Sequence, residues 1–251
     1  MKRPPKHEYK EGHYVELLQS GESLFSSVEK VIDGAKRYIH FQTYIVDEDD
    51  TGRRIVRALA RASRRGVRVY LLLDAFGTKY LTKEFIDEIE DSGILFRFFS
   101  PVFITKGFQL SMRLHHKVVL ADGELAIIGG MNFADRYHGS SSVKEWLDFA
   151  VLIKGPECMH VNSICRKTWN KTFLSKEERA AEIVYATSSY EQNISLRVVE
   201  NNWYRNKIEI LRSYRTALKN ARHHMIIFAS YFLPGRLERK LFRLASARGV
   251  D

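Results

Sequence analysis

Residues 115–132 read HHKVVLADGELAIIGGMN, and the alternation inside this stretch decides how the surrounding chain folds. Side chains on a strand alternate faces, so His115 and Lys117 share one face and His116 takes the other. Val118 to Ala121 continue the strand. Asp122-Gly123 is a two-residue hairpin signal, and Leu125 to Ile128 form the return strand. Gly129-Gly130 frees the backbone ahead of Asn132, which the pattern makes the N-cap of a helix starting at Phe133.

That geometry has chemical content. A neutral imidazole is a nucleophile, and a lysine two residues on, on the same face, holds an anion as a point charge. A glycine pair leading into an asparagine-capped helix offers backbone N–H groups to the same anion. Histidine, lysine and an N–H cradle on one spot suit a phosphate. A buried hairpin with an incidental histidine is the bland alternative, and the agreement of spacing, turn and cap weighs against it.

Outward from the hairpin, strand and helix alternate. Residues 1–13 read as a polar arm, and Tyr14 to Gln19 as a short strand. Leu24, Phe25, Val28, Val31, Ile32 and Ala35 form a helical stripe. Tyr38 to Val46 is an apolar strand. Asp47 to Asp50 precedes a helix over Thr51 to Arg64, where carboxylates favour the dipole. Val67 to Asp74 is a strand, Leu81 to Ser92 a helix and Ile94 to Phe98 a strand. Phe149 to Ile153 is another strand, and a helix runs from Gly155-Pro156 to Trp169. Lys171 to Glu182 is a polar connector, and Tyr185 to Ser189 and Leu196 to Val199 are strand-like. The alternation predicts an α/β layered fold.

Residues 205–251 echo 22–67. The tyrosine of Gln42-Thr43-Tyr44-Ile45 falls on Tyr231 of Ala229-Ser230-Tyr231-Phe232, and Gly66 falls on Gly249. The echo predicts a strand over Met225 to Phe232. A complete second copy would carry its own histidine near residue ~298 if repeat lengths hold, so the sequence reads as a bilobal protein interrupted inside its second lobe. The domain boundaries follow: a first lobe over 14–190 and the start of a second over 191–251.

Composition sets the class. The chain has 251 residues, 45% hydrophobic and 12% aromatic, which is ordinary for a globular protein. No apolar run approaches the ~20 residues of a membrane-spanning helix, and the charged N-terminus lacks a signal-peptide core. A cytoplasmic protein is the expectation. Cys158 and Cys165 lie two helical turns apart and cannot bridge, and no metal-ligand spacing occurs. Net charge is +10. Residues 201–251 hold 11 Lys and Arg against 3 acids, a local +8. Such a surface faces anionic lipid or nucleic acid, or is a solvated helix face.

The pattern His115-x-Lys117, Asp122, Gly129-Gly130-x-Asn132 resembles the HKD motif of the phospholipase D superfamily. The strand over 42–44, Arg65-Gly66-Val67 leading to Leu73-Asp74, and Trp146-Leu147-Asp148 resemble the bacterial cardiolipin synthases of that superfamily, of the shorter kind without N-terminal membrane helices. The resemblance covers nearly the whole chain. It implies an αβα sandwich around a central mixed sheet, with a second lobe that is incomplete. It implies phosphatidyl transfer through a phosphohistidine, with phospholipid donor, glycerol-type acceptor and no cofactor. His115 would be nucleophile or general acid. Lys117, Gly130 and Asn132 would hold the phosphate, and Asp148 would orient His115. Asp122 belongs to the motif, but a tight turn suggests a structural role. His116 reads as a core or supporting residue.

The loop before His115 mixes apolar and basic residues, and Phe103, Ile104 and Phe108 are its candidate membrane contacts. The expected partner is an anionic phospholipid surface on the cytoplasmic side of a membrane, met peripherally. Two further readings stand beside it. A nuclease or other phosphodiesterase would complete its site as a homodimer, with nucleic acid as partner. An inactive membrane-binding fragment is the other. The apolar loop and the second lobe count against nucleic acid.

Overall fold

The computed structural model describes residues 8–100, 113–139, 144–171, 179–180, 192–202 and 207–251. These fall into two compact units, Glu8–Arg197 and Val198–Asp251.

The first unit is built from β1 (Lys10–Gln19), α1 (Glu22–Gly34), β2 (Tyr38–Thr43), α2 (Asp50–Arg64), β3 (Arg68–Asp74), α3 (Lys83–Asp91) and β4 (Leu95–Phe99). It continues with β5 (Lys117–Ala121), β6 (Leu125–Gly129), α4 (Asp135–His138), β7 (Phe149–Lys154), α5 (Cys158–Lys171) and β8 (Ile194–Leu196). One eight-stranded sheet has the order β4-β3-β2-β5-β6-β7-β1-β8. β2, β3 and β4 run parallel, and β5 opens an antiparallel half. Helices cover both faces. Ile39 and Phe41 of β2 join the apolar core with Phe25 of α1 and Leu59 of α2. On the opposite face, Gln42 donates to the Cys165 carbonyl of α5 at 2.8 Å.

Local chemistry explains the elements. Asp49 caps α2, its carboxylate accepting the Gly52 N–H at 2.9 Å. Ile55, Val56, Leu59 and Ala62 of that helix are buried at helical spacing. Every residue of β2 and nearly all of β3 is buried, as expected for parallel strands covered on both faces.

Three sequence expectations need correcting. β1 starts at Lys10, so residues 10–13 are not part of an arm. His13 is fully buried, its ring bridging the Ile194 carbonyl (3.1 Å) and the Glu157 N–H (2.9 Å), which ties this end of β1 to β8 and α5. Asn132 does not cap a helix: the helix that follows has only four residues, and Ala134 precedes it. Met225 to Phe232 is not a strand.

The second unit shows why. Its helices α6 (Glu209–Asn220) and α7 (Arg236–Ala247) reproduce the backbone detail of α1 and α2. Val67 N–H bonds the Ala62 carbonyl at 3.1 Å, and Val250 N–H the Ala245 carbonyl at 3.2 Å. Gly66 and Gly249 take left-handed φ values of 85° and 81°. Arg65 donates to the Ile32 carbonyl at 2.9 Å, and Arg248 to the Leu218 carbonyl at 3.2 Å. Even the first rung between strand positions recurs, Arg68 N–H to Arg37 at 2.9 Å and Asp251 N–H to His223 at 2.9 Å. One more bond follows, Met225 N–H to the Asp251 carbonyl at 2.7 Å. β2 lies between β3 and β5, whereas Ile226 is 90% and Tyr231 88% exposed. A strand needs neighbours to bond its backbone, and an apolar run alone does not make one.

Candidate active site

The parallel strands β2 and β3 end at the same edge of the sheet where the antiparallel β5 begins, β6 ends and β7 begins. Crevices beyond the carboxyl ends of parallel strands are where open α/β sheets place ligands. Tyr44, Asp74, His115, Lys117, Gly130 and Asp148 therefore come to one edge from five strands.

His115 is exposed just before β5. Its ring lies 5.6 Å from that of Tyr44, and the Lys117 ammonium sits 5.6 Å from the same Tyr44 ring. Lys117 is buried, and its Nζ donates to the His115 carbonyl at 2.8 Å. Burial against its surroundings, and then the Lys117 charge, hold the His115 ring below its ordinary pKa, with Asp74 acting in the opposite sense. Burial likewise pushes Lys117 down to about 8, partly offset by Asp148. His116 points to the other face, its Nε2 2.8 Å from the Gln42 amide oxygen.

The glycine pair works by closeness rather than by special backbone angles, since neither residue has a positive φ. A Cβ on Gly129 would meet the Ala150 Cβ at 2.7 Å. A Cβ on Gly130 would meet the Asp148 carboxylate at 2.7 Å. Asp148 thus stands beside Gly130 and acts on Lys117 by its charge. Its Oδ1 accepts the Phe149 N–H at 2.7 Å, and its backbone is held by Ser20. Among the described residues, the His115 ring makes no hydrogen bond to Asp148, so the expected orienting contact is not present in this arrangement.

Asn132 is buried and committed. Its Oδ1 accepts the Ile45 N–H at 3.2 Å and its Nδ2 donates to the Tyr137 hydroxyl at 3.1 Å, which locks the loop after β2 against the loop after β6. One amide hydrogen remains for an anion. Asp122 lies at the far end of β5, roughly 16 Å along the strand from Lys117 at ~3.3 Å per residue. Asp122 and Gly123 both have positive φ, 56° and 72°, the signature of a type I′ turn. The Asp122 carboxylate accepts the N–H groups of Lys36 (2.9 Å), Arg37 (2.8 Å) and Tyr38 (3.0 Å), fixing the start of β2. Phe103, Ile104 and Phe108 lie outside the described residues.

The sequence reading missed Tyr44, Asp74 and Arg113. Asp74 had a signal: a carboxylate closing the apolar run VYLLL at the end of a parallel strand. Tyr44 also lines a cleft of about 450 Å³ together with Asp47, Glu48, Phe76, Tyr80 and Arg136. Among the described residues, no group of His, Cys, Asp and Glu is placed to hold a metal ion, and no helix is long and apolar enough to cross a membrane.

An αβα sandwich with a His-x-Lys pair at the carboxyl edge of its sheet defines a phospholipase D-like protein. The family model described as "Cardiolipin synthase, PLD-like domain" matches residues 28–169, more than half of the chain, and the chain belongs to that family. It is 32% identical to cardiolipin synthase B of Escherichia coli K12 across 96% of this chain and 59% of that protein. It is 27% identical to a Geobacillus cardiolipin synthase across 94% of this chain and 47% of that protein. The chain thus spans about three-fifths or less of the curated relatives it matches. Phosphatidylserine synthase of Haemophilus influenzae shares the fold, with a TM-score of 0.61, 14% identity, and coverage of 97% of this chain and 62% of that one.

Proposed function

We propose that this chain contributes one half of a phosphatidyltransferase site, with His115 as nucleophile and a phosphohistidine as intermediate. The observation that carries the reading is the pairing of an exposed imidazole with a buried lysine at one sheet edge. An imidazole with a lowered pKa is neutral near pH 7, which suits attack better than proton donation. Lys117, with its pKa near 8, is mostly charged there and neutralises the non-bridging oxygens. Asn132 and the backbone at Gly130 add donors. Membership of the cardiolipin synthase family supports phospholipid as substrate and an anionic bilayer as the surface met.

A His115 nitrogen bonds phosphorus and the bond to the departing alkoxide breaks. A second histidine protonates that alkoxide. The acceptor hydroxyl then returns a proton to the second histidine as its oxygen attacks phosphorus, and His115 is released. A further His-x-Lys segment would supply the second histidine, either from a longer polypeptide, as the length of the relatives allows, or from a second copy of the chain.

The test is transfer between phosphatidylglycerol molecules in vesicles, compared between the unmodified protein and His115→Ala. Loss of transfer in the variant supports the reading. Retained transfer, or turnover confined to nucleic acid, contradicts it.

A further inference from the structure

One buried acid near the site has no role in the chemistry above. Asp74 closes β3 and is fully buried. Its Oδ1 accepts the N–H groups of Phe76 (2.9 Å) and Gly77 (3.2 Å). Its Oδ2 accepts the Leu114 N–H at 2.7 Å, and Arg113 approaches at 3.5 Å. β3 and β5 are not neighbours, because β2 lies between them. The Asp74 side chain therefore reaches past the end of β2 to grip the backbone immediately before His115. From the other side, Lys117 holds the His115 carbonyl. The residue is clamped at its backbone while its ring stays open to solvent.

We propose that Asp74 is the positioning residue for His115: it fixes the peptide that carries the imidazole and supplies, from the buried side, the negative charge that balances the ring as it gains positive character. The role rests on the reading of His115 as nucleophile. Asp148, expected from sequence to support His115, stands beside Gly130 and acts on Lys117 by its charge. Among the described residues, Lys117 and Asp74 act on the His115 ring by charge and Tyr44 contacts it, with Arg113 beside Asp74 as a counter-charge. The carboxylate uses both oxygens. An asparagine here would turn one of them into an amide donor facing an N–H donor, so Asp74→Asn keeps the volume and loses one set of bonds along with the charge.

The experiment is a pH titration of the His115 ring carbons by NMR in the full chain, for the unmodified protein and for Asp74→Asn. The expected result is a titration midpoint displaced to lower pH, together with a displaced Leu114 amide resonance. Where transfer is measurable, kcat falls with little change in KM. An unchanged midpoint and Leu114 amide in folded Asp74→Asn overturn the proposal. If that variant does not fold, the side-chain carboxyl carbon of Asp74 in the unmodified protein decides. Its resonance should inflect at the His115 midpoint and lose the inflection in His115→Ala, and a flat response overturns the proposal. These readouts need no turnover, so failure of the transfer assay leaves them standing. Conversely, transfer that dies with His115→Ala but tolerates Asp74→Asn sinks this inference alone.

Discussion

At one end of the β5–β6 hairpin, Asp122 spends its carboxylate on three backbone N–H groups and its backbone on a left-handed turn. At the other end, seven residues back along the chain, an exposed imidazole stands beside a buried ammonium whose pKa has fallen to about 8. Both ends belong to one sequence motif at fixed spacing. The difference teaches that such a motif can be a structural unit: the turn end sets the register that delivers the histidine end to the sheet edge. Sequence spacing alone does not separate the two roles, whereas hydrogen-bond partners do.

The comparison can be broken by separating activity from stability. His115→Ala should abolish transfer while changing unfolding free energy by less than about 0.5 kcal/mol, because the side chain is exposed and its ring makes no hydrogen bond among the described residues. Asp122→Ala should do the reverse. Three backbone donors lose their acceptor, and alanine replaces a residue that tolerates positive φ, so urea denaturation should show a loss of about 3 kcal/mol. Activity per folded molecule should survive, and its loss would move Asp122 into the chemistry. Gly130→Ala sharpens the contrast from the active end. Its new methyl meets the Asp148 carboxylate, so stability should fall by about 1–3 kcal/mol and Lys117 should lose its nearby negative charge.

The smallest effect is in pH. Transfer should follow a bell-shaped profile. The acid limb lies below 6.5, where His115 becomes protonated and cannot attack. The alkaline limb combines loss of the proton from the second histidine and, near 8, loss of charge from Lys117. Lys117→Arg keeps its charge at all these pH values, so the component near 8 should disappear in that variant even where the rate is reduced. A component near 8 that persists assigns it to another group.

Much of this was readable before any coordinates. The hairpin, the facing of His115 and Lys117, the opposite facing of His116 and the helical stripes follow from the two side-chain periods, which local sequence sets. The turn at Asp122 is legible in its Asp-Gly pair, and both residues take positive φ. Three things were not readable. Asn132 sits where a cap would, but its side chain is drawn to Ile45 and Tyr137, residues that only the fold brings near. Asp148, expected behind the histidine, stands beside Gly130 and makes no hydrogen bond to the His115 ring among the described residues, while the Leu114 N–H before His115 bonds Asp74 of β3. Met225 to Phe232 has the composition of β2, yet it forms no strand among the described residues, and Ile226 and Tyr231 are exposed. Each miss depends on long-range contact, which periodicity does not encode.

The most direct measurement of the central claim is capture of the intermediate. The protein would be mixed with phospholipid carrying radiolabelled phosphate, quenched in denaturant, and the bound label tested for stability. The account predicts protein-bound label that is acid-labile and alkali-stable, absent in His115→Ala and present in Asp122→Asn. Label that persists in His115→Ala, or that survives acid as a serine or threonine ester does, would contradict it.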